Sequence, residues 1–136
     1  MAGARRQSRI AIFQALYEID STRHNAEDVV SRLLVEKKLS EDNSTFVRQN
    51  VLGVIQNKQK LDENIQRFAP AWPVDQLPMV DRNILRFAIF ELLMDNKVPT
   101  SIAINEAVEL AKKFGSDSSA RFVNGVLSSV NTLATG

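Results

Sequence analysis

The chain contains no cysteine, one histidine, one tryptophan and one tyrosine. Without cysteine there can be no disulfide, no thiolate nucleophile and no cysteine-held zinc or iron–sulfur centre, and a reducing cytoplasm is the expected setting. His24 is the lone imidazole, so a histidine-based metal site has no second ligand of its kind. It falls in the polar stretch Ser21 to Asn25 and reads as a solvated loop residue. Glycine is scarce too, with five residues and no glycine-rich phosphate loop or nucleophile elbow among them. No apolar run approaches the length of a membrane span. The basic N-terminus leads into Ile10 to Leu16, which is interrupted by Gln14 and reaches Glu18 with no small-residue cleavage pattern, so no secretory signal is expected.

What remains is a globular composition, 44% hydrophobic and 24% charged. At 136 residues the chain is long enough for one domain that removes roughly two-thirds of its unfolded surface from water. The expectation is a single domain over residues 1–136.

The spacing of apolar residues predicts an all-α fold of about six to seven helices, since no stretch alternates strictly between apolar and polar. A first helix from about Arg5 to Asp20 has Ile12, Leu16 and Ile19 on one side. A second covers Ala26 to Lys37 through Val29, Val30, Leu33 and Leu34, and Leu39 to Asn43 breaks it. A third stretch runs from about Ser44 to Phe68, with an interruption near Asn57 to Lys60. Pro70, Pro73 and Pro78 then exclude continuous helix. They make residues 69–79 a linker, which Trp72 is expected to pin to the core, between an N-terminal half at about 5–68 and a C-terminal half at 80–131. In that second half a helix is expected from Val80 to Met94, and another begins at Thr100 or Ser101 and ends at Gly115, placed in the left-handed region. A last helix is capped by Ser116 or Asp117. Asn124-Gly125 often marks a hairpin, but its flanks have helical spacing, so a helix with a close-packing glycine is expected.

Few residues suggest catalysis. Glu106 and Glu109 stand three apart on one predicted helix and read as surface carboxylates or partners of Arg86, with Glu109 also four residues from Lys113. The charge balance is more informative. The net charge is +1, from 17 basic and 16 acidic residues, but Arg5, Arg6 and Arg9 precede every acid and leave 14 basic against 16 acidic in the rest. Arg5 and Arg9 are one helical turn apart with Arg6 beside them, and guanidinium groups suit phosphates. Gln14 and Tyr17 follow on the same helix, an amide for base edges and a ring on which an unstacked base can rest. Lys112, Lys113 and Arg121 form a second basic cluster.

The segments ARRQSRIAIFQALYEID, VDRNILRFAIFELL, VPTSIAINEAVELAKKFG and RFVNGVL, in that order, resemble the NusB family of bacterial transcription antitermination factors. Runs like the last two also occur in the N-terminal domain of rRNA cytosine-5 methyltransferases, but such enzymes need a catalytic cysteine and a further domain, so a free-standing, non-enzymatic factor is favoured. The resemblance implies two packed three-helix groups that bind the single-stranded boxA element of nascent rRNA transcripts. It implies a partner, the small-subunit ribosomal protein NusE, within an RNA polymerase antitermination complex, and no cofactor or metal. By position it implies RNA contacts for Arg5, Arg6, Arg9, Gln14 and Tyr17, and for Arg121, Phe122 and Asn124 in the C-terminal motif. Asp75 and Asp81 match acidic positions that would face the partner protein. A protein-only helical scaffold is the rival reading, and the apolar faces leave a homodimer open.

Overall fold

The computed structural model describes residues 2–95 and 97–135, and every regular element among them is helical. Contacts between residues group into two compact units, residues 1–56 and 57–136.

In the first unit α1 (Ala2–Thr22) packs against both α2 (Ala26–Lys37) and α3 (Glu41–Gln56). Ala11, Ile12, Ala15 and Leu16 of α1 are buried, as are Val29 and Val30 of α2 and Val47, Val51 and Val54 of α3. The chain turns are made by local chemistry. Asn25 caps α2 by accepting from Asp28 N at 3.2 Å, and α2 ends on Lys38 in the left-handed region with φ 52°. Ser40 Oγ then accepts from Asn43 N at 3.2 Å, with Glu41 and Asp42 in the first turn of α3, where carboxylates oppose the positive end of the helix dipole. This start lies three residues ahead of the expected Ser44, because Ser40-Glu41-Asp42 begins a helix and does not merely interrupt one. The first helix likewise begins earlier than expected, at Ala2, so the arginine-bearing arm is itself helical.

The second unit holds α4 (Lys58–Phe68), a 3-10 turn at Val74–Gln76, α5 (Met79–Ile89), a π-helical turn at Phe90–Asp95, α6 (Thr100–Phe114) and α7 (Ser119–Thr135). Helix α5 is its centre: it touches α4, α6 and α7, and Asn83 through Ile89 are all buried. Helix α4, counted with the N-terminal half in the sequence reading, packs against α5 and α7. Arg86, 5% exposed, fastens it there, donating from Nε to Asp62 Oδ1 at 2.7 Å and from Nη2 to Oδ2 at 3.0 Å. A fork-to-fork pair of this kind fixes orientation as well as distance.

Several local expectations are corrected. Trp72 does not pin the linker, since it is 59% exposed; Ala69 and Leu77 are the buried anchors. The side chain of Gln66 spans the bend, donating to Trp72 O at 3.0 Å and accepting from Val74 N at 3.2 Å. Gly115 has φ −98° and extended backbone, not the left-handed conformation. It is glycine for room: a Cβ there would stand 2.5 Å from Ser119 Cβ and 2.8 Å from Ala111 O. That crowding comes from Ser119, whose Oγ accepts from Ser116 N at 2.9 Å. Gly125 is helical as expected but not closely packed, as nothing lies within 4 Å of a Cβ built on it. Glu109 pairs with Lys112 at 3.6 Å, while Lys113 lies over the ring of Phe114 at 5.9 Å.

Candidate nucleic-acid interface

Helix α1 is a rod of about 31 Å at 1.5 Å per residue, and its 100° step decides which arm residues reach solvent. Arg6 and Tyr17 fall within about 20° of one another on the helical wheel, about 16 Å apart along the axis. Arg6 is exposed and Tyr17 is 36% exposed, whereas Ile10 and Phe13 between them are buried. Tyr17 leans on Phe13 with ring centroids 6.0 Å apart and planes tilted by 49°, which steadies its ring while one side stays open. Gln14 is half-buried beside it.

The other two arginines turn toward α3. Arg9 is 3% exposed, its guanidinium 5.4 Å from the ring centroid of Phe46. The expectation that Arg9 lies on phosphate beside Arg5 and Arg6 therefore does not match its place here. One helical turn beyond Arg5 the arm is already packed, and Arg9 is part of that packing. Arg5 is half-buried, lies over the same ring at 4.0 Å, and donates from Nη2 to Asp42 Oδ2 at 3.4 Å. Phe46 and Asp42 carried no sequence signal of their own, because helical spacing marks Phe46 only as core and Asp42 only as a charged residue near a break.

At the far end of α1, Glu18 ties the helix to α2. His24 Nδ1 lies 3.0 Å from Glu18 Oε2, and Arg32 Nη2 donates to Oε1. The hydrogen bond to His24, followed by that from Arg32 and the charges of both, holds the Glu18 carboxyl below its ordinary range against the opposing effect of burial. His24 is thus exposed, as a loop histidine should be, yet engaged. The Glu18 carboxylate also places negative charge next to Tyr17, so the basic character of α1 is confined to its first turns.

Arg121, Phe122 and Asn124 lie on α7, in the second unit. Arg121 and Asn124 are exposed and Phe122 is half-buried. Phe122 borders a cleft of about 460 Å³ shared with Trp72, Leu77, Pro78, Asp81 and Ser118. The sequence reading gave Phe122 to RNA and Asp81 to a protein partner, whereas the structure places both on this one cleft. Asp81 is 5% exposed and its Oδ1 is buried without a hydrogen-bond partner. Asp75 is exposed, and its carbonyl accepts from Arg82 Nη1 at 3.0 Å. Trp72, on the rim, is the residue that the sequence reading misassigned, since a lone tryptophan in a proline-rich segment looks like an anchor.

The sequence profile of the NusB family matches residues 6–132. The chain belongs to that family. The transcription antitermination protein NusB of Dehalococcoides mccartyi is 56% identical over 131 residues, covering 96% of this chain and 92% of that protein. The NusB of Chloroflexus aggregans is 48% identical over 134 residues, covering 97% and 89%. The fold agrees with a solved NusB structure from T. maritima, with a TM-score of 0.89 at 32% identity over 94% of this chain and 90% of that one. It agrees equally with NusB in a crystal structure of the antitermination factors NusB and NusE in complex with dsRNA, at a TM-score of 0.89, 25% identity and coverage of 98% and 99%. Among the described residues no three His, Cys, Asp or Glu gather as a metal site, and no helix is long and apolar enough to cross a membrane.

Proposed function

We propose that the protein is a cytoplasmic, non-catalytic antitermination factor that binds boxA-type single-stranded RNA of nascent rRNA transcripts together with NusE, as part of an RNA polymerase antitermination complex. The observation that carries this reading is α1 itself: a helix formed through its arginine-bearing start, with Arg6, Gln14 and Tyr17 accessible along it, in a chain that belongs to the NusB family. Arg5 and Arg6 take phosphates, Gln14 a base edge and Tyr17 a base face. Arg9 supports the arm from beneath, and its own contact with phosphate requires it to leave Phe46. Arg121 and Asn124 add a phosphate and a polar contact from α7, and Phe122 a ring. Exposed Asp75 faces the basic ribosomal partner, and Asp81, buried, is reached only through the cleft that it lines. No bond is made or broken.

Affinity for a short boxA RNA against a scrambled one, with and without NusE, tests the whole reading. The expected result is preference for boxA that NusE strengthens. Absence of binding to either RNA, with NusE binding intact, would instead leave a helical scaffold that contacts protein alone.

A further inference from the structure

We infer that Phe46 and Asp42 are positioning residues for Arg5, the ring fixing the plane of its guanidinium and the carboxylate occupying the place that an RNA phosphate takes. The inference rests on the reading of α1 as an RNA-binding helix and concerns how one contact in it is prepared.

Arg5 is held but not satisfied. Its guanidinium carbon lies 4.0 Å from the centroid of Phe46, a separation at which the face of the cation rests on the negative face of the ring. Nη1 is buried and makes no hydrogen bond. Nη2 makes only a long contact of 3.4 Å to Asp42, whose side chain is 88% exposed while that of Arg5 is 40% exposed. A water-screened pair at that distance is weak. The stacked plane, by contrast, removes rotamer freedom that a free arginine would lose on binding. Arg5 therefore presents an oriented fork whose present acceptor is easily replaced. A phosphate oxygen has the same hydrogen-bonding chemistry as the Asp42 carboxylate, and the two cannot share Nη2 without placing like charges side by side. Exchange, not addition, follows: RNA displaces Asp42 while Phe46 keeps the guanidinium in place.

Asp42 then lowers affinity and Phe46 raises it. Binding of a short single-stranded boxA RNA by the full chain is measured for Asp42→Asn, Phe46→Leu, Phe46→Tyr and Arg5→Ala, and for Asp42→Asn combined with Arg5→Ala. Asp42→Asn is expected to tighten binding about 2- to 5-fold, the scale of an exposed ion pair. Phe46→Leu is expected to weaken it about 2- to 5-fold, the scale of an exposed cation–π contact, and Phe46→Tyr to restore it. The gain from Asp42→Asn should shrink in the Arg5→Ala background, which a general change in charge would not do. If Arg5→Ala weakens binding while Asp42→Asn leaves it unchanged, the positioning role is overturned and the RNA site stands. If Arg5→Ala and Arg6→Ala both leave binding unchanged, the RNA reading of α1 has failed and this inference with it. Asp42 is so exposed that its variant tests the idea even where Phe46→Leu disturbs folding.

Discussion

Replacing Asp62 by alanine should destabilise the protein by about 3 kcal/mol, the lower end of the range for breaking a buried ion pair from one side. The lower end applies because the Asp62 side chain is 27% exposed while that of Arg86 is 7% exposed. Removing the carboxylate strips two charge-assisted hydrogen bonds, at 2.7 and 3.0 Å, from a guanidinium that cannot reach bulk water. Asn83 Oδ1, at 3.3 Å from Nη1, is a neutral acceptor and does not replace the charge of the carboxylate. The loss should show as a lower midpoint in urea denaturation. Pairing Asp62→Ala with Arg86→Met should recover part of it, because the buried charge that has lost this carboxylate goes with the arginine. A midpoint that stays put in Asp62→Ala would mean that the pair does not hold α4 to α5.

Tyr17→Ala should weaken binding of single-stranded boxA RNA by roughly 1–3 kcal/mol, the worth of one base stacked on an aromatic ring. Tyr17→Phe should leave it nearly intact, since a stacked base needs the face and not the hydroxyl. Tyr17 is suited to this because α1 supports it on Phe13 and leaves it 36% exposed. Equal affinity of the alanine variant and the parent, with both folded, would remove Tyr17 from the interface and leave RNA binding to charge alone.

The helical elements were legible in the sequence because the apolar residues of each recur at helical spacing and are bounded by recognisable stops. Asn25, the three prolines near residue 70 and Pro99 each fall where a helix begins or cannot continue. Asn57 marks the short break between α3 and α4. What could not be read was tertiary in origin. The burial of Arg9 depends on which way one turn of α1 faces once α3 lies against it, and an arginine in an N-terminal arm looks solvated until the partner helix is known. Trp72 shows the converse, an apolar ring left at the rim of a cleft while Leu77 takes the buried place. Gly115 was expected for left-handed backbone and instead supplies room in an extended one, because contact with Ser119 is invisible to a rule about backbone angles. Within the candidate interface, Arg6, Gln14, Tyr17 and Arg121 are residue types that advertise their chemistry in the sequence, and the structure leaves Arg6, Tyr17 and Arg121 exposed. Phe46 and Asp42 act only through a neighbour and became visible only with that neighbour in place.

If arginines of the first helix grip RNA phosphates, the salt dependence of boxA binding shows it most directly. With Arg5, Arg6 and Arg121 each neutralising one phosphate, the log–log slope of affinity against salt should be about −2, at about 0.7 per phosphate for a single strand. In the Arg5→Ala/Arg6→Ala double variant it should fall toward about −0.7. A flat slope in the parent, or an unchanged slope in the double variant, would contradict the account.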